Sequence, residues 1–138
     1  MARRNYYRGK YKLSKAEFLS AKYYALRYHE WKDEYESLLA NAEAASLPTD
    51  REGSGGRNTE ESQVENTAIK MAELSKKFTA VEEAALAAGK ELYPWILEAV
   101  TGEDITYDYL VLHKDIPCGR DMFYARRREF YYYLSKKI

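Results

Sequence analysis

Arginine and tyrosine residues are concentrated near the end of the chain, between residues 120 and 132. The cluster begins at Arg120 and Tyr124 and continues through the run Arg126–Arg128. Guanidinium groups form paired hydrogen bonds to phosphates and to the O6 and N7 atoms of guanine, and tyrosine hydroxyls also bind phosphate. The residue types therefore predict a surface that contacts nucleic acid. A solvated basic surface helix is the alternative interpretation of the arginine run alone.

A helical wheel divides residues 119–137 into two faces. The apolar face should pack inward, and it carries Phe123, Phe130 and Leu134. The opposite face should be exposed, and it carries Asp121, Ala125, Arg128 and Tyr132, with Arg120 and Tyr124 on its flank. This division predicts a helix that packs with one face and binds DNA with the other.

The preceding residues have the pattern of the first helix and turn of a helix-turn-helix. Thr106 is a good N-cap residue, Leu110 and Val111 are apolar in the next turn, and Ile116 follows a short polar break. We therefore predict a first helix at 106–113 and a reading helix at 119–137. Thr106 and Tyr107, at the start of the first helix, are also predicted to contact DNA.

The composition of the 138 residues, 46% hydrophobic and 32% charged, is typical of one soluble domain or of a small domain with a helical arm. No apolar run approaches the roughly 20 residues of a membrane helix, and we expect no secretory signal, because no apolar segment follows the basic residues 1–8. With one cysteine and two histidines, the chain offers no disulfide and no zinc-binding spacing. We expect a cytoplasmic protein with no metal or cofactor. An enzyme is the least supported class, because no carboxylate is placed with a histidine or a nucleophile.

The net charge of zero conceals a strong asymmetry. Residues 1–15 carry six basic side chains and no acidic one, and residues 114–138 carry seven basic and three acidic. Residues 30–65 carry ten acidic side chains and three basic. Both ends can therefore face a polyanion, whereas the middle would be repelled. Residues 1–13 are predicted to be a basic flexible arm, which either follows DNA or keeps the protein in solution.

Two long helices are predicted before the C-terminal unit. Ser14 and Glu17 form a capping box for the first, and Asn58 with Glu61 repeats it for the second. The first helix carries an apolar seam through Tyr24, Tyr28, Trp31, Tyr35, Leu38, Ala42 and Ala45. The second carries a matching seam through Met71, Leu74, Phe78, Val81, Ala85, Ala88 and Leu92. Matched seams joined by a short connection predict an antiparallel helical hairpin.

The predicted fold is all-α, a long antiparallel hairpin followed by a helix-turn-helix unit. The hairpin spans 14–92, with single helices at 14–46 and 58–92 and a mobile glycine-rich loop at 47–57. Gly89 and Pro94 then mark a break and a short helix at 94–100. The helix-turn-helix unit occupies 93–138.

The chain resembles phage transcriptional regulators of the RinA/ArpU type, whose C-terminal part is similar to region 4 of sigma-70 factors. The resemblance is carried by Cys118-Gly119-Arg120-Asp121-Met122-Phe123-Tyr124-Ala125-Arg126-Arg127-Arg128-Glu129-Phe130, which is similar to the family's recognition helix. It is also carried by Leu47-Pro48-Thr49-Asp50, Gly53–Gly56 and Ser62-Gln63-Val64-Glu65. Two positions depart from the family pattern: Gly119 replaces a Ser or Thr cap, and Pro117 stiffens the turn.

The resemblance implies a sequence-specific regulator that binds double-stranded promoter DNA in a bacterial host cell and controls late or packaging genes of a phage or prophage. Arg120, Tyr124, Arg127 and Arg128 would be DNA contacts by this comparison. RNA polymerase is a further possible partner. The alternatives are a DNA-packaging protein similar to a small terminase, and a helical module that binds only other proteins.

A homodimer is predicted from the first long helix. It offers two overlapping apolar stripes, one through Phe18, Ala25 and Tyr28 and one through Tyr24, Trp31 and Leu38. One partner helix cannot cover both stripes. A dimer would place two reading helices on DNA half-sites about one helical turn apart.

Overall fold

The described residues form an all-α fold. The computed structural model describes residues 9–46 and 57–138, and side chains at 9–45 and 62–138. A short 3₁₀ helix, Gly9–Tyr11, precedes six α-helices: α1 Lys15–Leu26, α2 Tyr28–Ser46, α3 Arg57–Ala88, α4 Tyr93–Thr101, α5 Tyr107–Lys114 and α6 Arg120–Lys137. No β-strand occurs among these residues. The predicted fold class is thereby confirmed at the level of secondary structure.

Helix starts follow the capping residues in the sequence. The Ser14 hydroxyl accepts a hydrogen bond from the Glu17 amide at 3.1 Å, and a Glu17 carboxylate oxygen accepts one from the Ser14 amide at 3.2 Å. The Thr106 hydroxyl accepts from the Tyr109 amide at 3.1 Å. These bonds satisfy amides that have no partner inside the helix. The predicted starts of α1 and α5 are confirmed.

The single helix predicted for 14–46 is wrong, because the chain breaks it at Arg27. The Arg27 amide donates to the carbonyl oxygen of Tyr24, three residues earlier, as well as to that of Ala25. Such short-range bonds tighten the backbone and end the regular α-helix. No proline or glycine marks this position. The helical repeat nevertheless continues across the break, since Ala25 and Tyr28 are both buried.

The chain forms two compact units. The first comprises Met1–His29, of which residues 9–29 are described, together with Thr79–Ile138. Within it, α1, α4 and α6 pack against one another. The core side chains exposed by less than 2% include Leu13, Val81, Ile96, Val100, Leu110, Phe123, Phe130 and Leu134.

The second unit, Glu30–Phe78, contains parts of α2 and α3. Of the side chains described in this unit, Trp31, Leu74 and Phe78 are buried. The rings of Tyr35 and Phe78 meet edge to face with centroids 5.3 Å apart. Ala42 and Ala45, predicted to belong to the seam, are exposed. The apolar seam therefore fades along α2 towards Ser46.

Several predictions concern residues outside the described part. They are the part of the predicted arm at residues 1–8 and the part of the predicted loop at 47–56. The second capping box depends on the side chains of Asn58 and Glu61, which also lie outside the described part. Within the range predicted for the arm, the 3₁₀ helix forms at Gly9–Tyr11 and Leu13 is 1% exposed. The division into 1–13, 14–92 and 93–138 stays a prediction about domains.

Candidate nucleic-acid interface

A shared apolar cluster joins α5 to α6. Leu110 and Phe123 are fully buried, and they pack with Ala99 of α4. The ring of Tyr107 lies 5.8 Å from that of Phe123, centroid to centroid. Removing this much apolar surface from water stabilises the unit by roughly 1.5–3 kcal/mol for each large side chain. The two helices are therefore held in one arrangement by their own side chains.

The turn at 115–119 is anchored at both ends by side-chain hydrogen bonds. Trp95 Nε1 donates to the carbonyl oxygen of Lys114 at 2.8 Å. The Tyr107 hydroxyl donates to the carbonyl oxygen of Cys118 at 2.7 Å. Asp115 adopts a left-handed backbone with φ of 51°, which ends α5 sharply. These bonds fix where α6 begins relative to α5.

The predicted packing face of α6 is confirmed, and the predicted outer face is exposed in part. Phe123, Phe130 and Leu134 are each 0% exposed, which confirms the predicted packing face. The sequence did not predict the burial of Tyr131, whose ring meets that of Phe18 at 5.1 Å. On the other face Asp121 and Arg128 are exposed, whereas Ala125 and Tyr132 are half-buried. The outer face thus presents its charged residues to solvent.

Arg120 is paired within the protein. Its guanidinium lies 2.7 Å from the Asp108 carboxylate, and the same group lies 5.3 Å from the Tyr107 ring centroid. The Arg120 and Asp108 side chains are 56% and 69% exposed. Ion pairs this exposed contribute about 0–1 kcal/mol. The pair therefore orients Arg120 without preventing it from exchanging Asp108 for another anion.

The three consecutive arginines have three different environments. Arg126 binds the Glu129 carboxylate at 2.9 Å, and this hydrogen-bonded pairing raises the pKa of the guanidinium above its ordinary value. Arg127 lies over the Tyr124 ring, 4.6 Å from its centroid. Arg128 is exposed on the outer face. The sequence presents these arginines as one run, but the fold gives only Arg128 an outer-face position.

Thr106 and Tyr107 have roles in the fold itself. The Thr106 hydroxyl caps α5 and the Tyr107 hydroxyl holds the turn, as described above. A DNA contact by either residue stays a prediction.

The Cys118 thiol is half-buried. Burial raises its pKa, which disfavours the reactive thiolate.

The N-terminal 3₁₀ helix contributes a feature that sequence reasoning missed. Tyr11 packs its ring against Tyr132 and Tyr133 of α6, with centroid distances of 5.3 and 6.0 Å. Tyr11 is one of three tyrosines in the basic segment 1–15, and its sequence context does not single it out for such a contact. Residues 9–11 therefore belong to the same compact unit as α6.

Two further findings apply to the described part of the chain. None of its helices combines the length and apolar character needed to cross a membrane. It also contains no group of three or more histidine, cysteine, aspartate or glutamate residues that could hold a metal ion.

Comparison with known proteins finds no matching family model, no similar characterised protein and no similar solved structure. The resemblance to RinA/ArpU-type regulators therefore stays an expectation from the sequence.

Proposed function

We propose that this protein binds double-stranded DNA, reads its sequence in the major groove with α6, and regulates transcription of late or packaging genes in a phage or prophage. In this proposal α5, the anchored turn and α6 act as a helix-turn-helix that follows a helical hairpin, as in the RinA/ArpU type. The target class is promoter DNA. The assignment to phage genes rests on the sequence resemblance alone.

The division of α6 into two faces is the observation that carries the proposal. A reading helix must be fixed on one side and present side chains on the other. The fully buried Phe123 and Phe130 fix α6, while Arg128 stands exposed on the opposite face. The small side chain of Ala125, one turn earlier, allows close approach to the DNA. The same arrangement supports apolar contact between Ala125 and a thymine methyl group.

The outer-face residues have different proposed roles. Arg128 pairs with guanine O6 and N7, because its guanidinium has the fork geometry for two parallel hydrogen bonds. Arg120 and Arg127 bind phosphate or base edges after leaving Asp108 and the Tyr124 ring. Asp121 accepts a hydrogen bond from a cytosine amino group, and Tyr124 donates one to phosphate.

Arg128→Ala and Arg128→Lys together test the proposal. Wild-type protein first selects a preferred duplex from a randomised library, and affinities for this duplex and a scrambled one are then measured over several salt concentrations. Arg128→Ala should cost about 1–3 kcal/mol on the selected duplex. Arg128→Lys keeps the charge but loses the fork, so it should retain affinity for scrambled DNA and still lose discrimination.

Two outcomes would overturn the proposal. Failure of the wild-type protein to select any sequence would contradict sequence-specific binding. If both Arg128 variants kept the wild-type ratio of selected to scrambled affinity, α6 would bind phosphate without reading bases.

We extend the proposal to association between copies of the chain, with RNA polymerase as a further partner. Among the side chains described in the second unit, three large apolar ones are exposed, Leu39 at 38%, Val64 at 68% and Ile69 at 58%. A homodimer formed through this unit would cover them. Two copies would then read repeated or palindromic half-sites.

A further inference from the structure

The side of α6 that carries Arg128 continues onto the N-terminal 3₁₀ helix. Tyr132 lies four residues after Arg128, and Lys136 lies four residues after Tyr132. Side chains four apart are neighbours on a helix surface. Tyr11 meets Tyr132 edge to face at 5.3 Å. The 3₁₀ helix thus adjoins the far end of the proposed reading side.

Two lysines lie over these rings. The ammonium nitrogen of Lys10 is 5.6 Å from the Tyr11 ring centroid, and that of Lys136 is 5.1 Å from the Tyr132 ring centroid. Both lysines are exposed. Lys10, Tyr11, Tyr132 and Lys136 are called the lysine–tyrosine patch below. Because its two rings touch, the patch brings together positive charges from two distant parts of the sequence.

Two carboxylates face this part of the surface, and each is engaged with another group. Glu129 interacts with Tyr11 but is held by Arg126 at 2.9 Å. Glu17, which faces Lys136, accepts the Ser14 amide in the capping box. Their charges are therefore partly compensated within the fold, and the lysine charges remain available to an external anion.

The length of α6 determines which part of DNA the patch can meet. From Arg120 to Lys136 the helix rises about 24 Å at 1.5 Å per residue. The major groove is about 12 Å wide. A helix lying across the groove with its first turns against the bases must therefore carry its last turns past the sugar–phosphate backbone. Lysine is suited to that position, since its compact ammonium acts as a point charge towards phosphate.

We infer that the lysine–tyrosine patch binds backbone phosphates of double-stranded DNA immediately outside the base pairs read by α6. The patch lengthens the contacted duplex without adding sequence preference. The rings hold the two ammonium groups in place through cation–π contact, and the Tyr132 hydroxyl can donate to a phosphate oxygen. This inference rests on the proposed function, because it takes the duplex to lie along the outer face of α6.

The test uses the full chain and two lengths of the duplex selected by the wild-type protein. The short duplex ends at the selected base pairs, and the long one extends about one helical turn beyond them on each side. Wild-type protein should bind the long duplex more tightly. The variant Lys10→Ala/Lys136→Ala should lose this gain and keep its affinity for the short duplex. The matched control, Lys76→Ala/Lys90→Ala, removes the same charge from α3 and the turn after it.

The salt dependence provides a second readout. On the long duplex, loss of two phosphate contacts should reduce the slope of log affinity against log salt by about 2. When the salt concentration is raised fourfold, the loss of affinity should therefore be roughly tenfold smaller for the variant than for the wild type. If the Lys10/Lys136 variant and the wild type gained the same affinity from the added flanks, the inference would be overturned. A wild-type protein that selects a sequence but ignores the flanks would overturn it while leaving the proposed function intact, whereas a protein that selects nothing would contradict both.

Discussion

The guanidinium of Arg120, at the start of α6, lies 2.7 Å from the carboxylate of Asp108, in the first turn of α5. One residue of this pair is a proposed DNA contact, and the other is an anion that competes with DNA for it. Binding through Arg120 therefore requires the exchange of a carboxylate for a phosphate or a base edge. The exchange is feasible because both side chains are more than half exposed.

Asp108→Asn should strengthen DNA binding. The substitution releases Arg120 and removes a negative charge beside the proposed interface, so affinity should rise by up to about fivefold at low salt. Asp33→Asn removes one charge from an exposed position in α2 and serves as the control. Fluorescence anisotropy with a labelled duplex measures the DNA affinity of both variants. Unchanged or weaker binding by Asp108→Asn would show that Arg120 does not reach DNA.

Phe123→Ala should destabilise the first unit strongly. Phe123 is 0% exposed and packs with Leu110, so the truncation leaves a cavity and should cost about 3–5 kcal/mol of unfolding free energy. Met122, the preceding residue, is 51% exposed, and Met122→Ala should change stability by less than about 0.5 kcal/mol. Urea unfolding followed by circular dichroism compares the two. Similar losses in both variants would contradict the assigned faces of α6.

Thr106→Ala should shorten or destabilise α5. The hydroxyl accepts the Tyr109 amide, and loss of such a cap costs about 0.5–2 kcal/mol. Thr106→Ser retains the acceptor oxygen and should stay close to wild type. Thermal unfolding should therefore rank the variants with Thr106→Ala lowest. If Thr106→Ser were equally destabilised, packing of the threonine methyl group would be the cause instead of the cap.

Local chemistry was sufficient to predict much of this fold. The capping box of Ser14 and Glu17 and the cap at Thr106 join residues three apart, so the sequence alone contains all the partners. Helical periodicity predicted the packing face of α6, because Phe123 and Phe130 fall on the same side of the helix and the opposite side is mostly polar. Predictions that depend on residues within two helical turns were therefore the ones confirmed.

Three features of this fold could not be predicted from the sequence. The break at Arg27 occurs without a proline or a glycine, and Tyr11 contacts residues more than a hundred positions away. The different environments of Arg126 and Arg127 follow from which carboxylate and ring the fold places beside each. A helical wheel places Glu129 and Tyr124 three residues from Arg126 and Arg127, but it does not show which neighbour each guanidinium contacts.

Titration of Tyr11 should report the docking of the 3₁₀ helix on α6. The hydrogen bond with Tyr133, followed by burial and by the charge of Glu129, raises the pKa of Tyr11 from 10.0 to about 12. Because the folded state holds the phenol proton more tightly, its contribution to stability is complete below pH 10 and is lost as the pH rises from 10 to about 12. NMR of tyrosine labelled with ¹³C at Cζ measures this pKa, with Tyr11→Phe assigning the signal. Tyr133→Phe should lower the pKa of Tyr11. An ordinary Tyr11 pKa in the wild type would contradict the docking of the 3₁₀ helix on α6.

The proposed homodimer leads to the last prediction. Val64 and Ile69 are more than half exposed on α3, within the second unit. If a second copy covers them, Val64→Asp/Ile69→Asp would place two carboxylates in an apolar interface, where unpaired charge costs several kcal/mol. Sedimentation at tens of micromolar should therefore show a dimer for wild type and a monomer for this variant.

Leu112→Asp provides the matched control for the dimer. Leu112 is 77% exposed in α5, which belongs to the first unit, so the same change from an apolar residue to a carboxylate should leave the dimer intact. Dissociation by Leu112→Asp but not by the Val64/Ile69 variant would move the interface to the first unit. A wild-type protein that sediments only as a monomer would contradict the homodimer, and each copy would then read a single half-site.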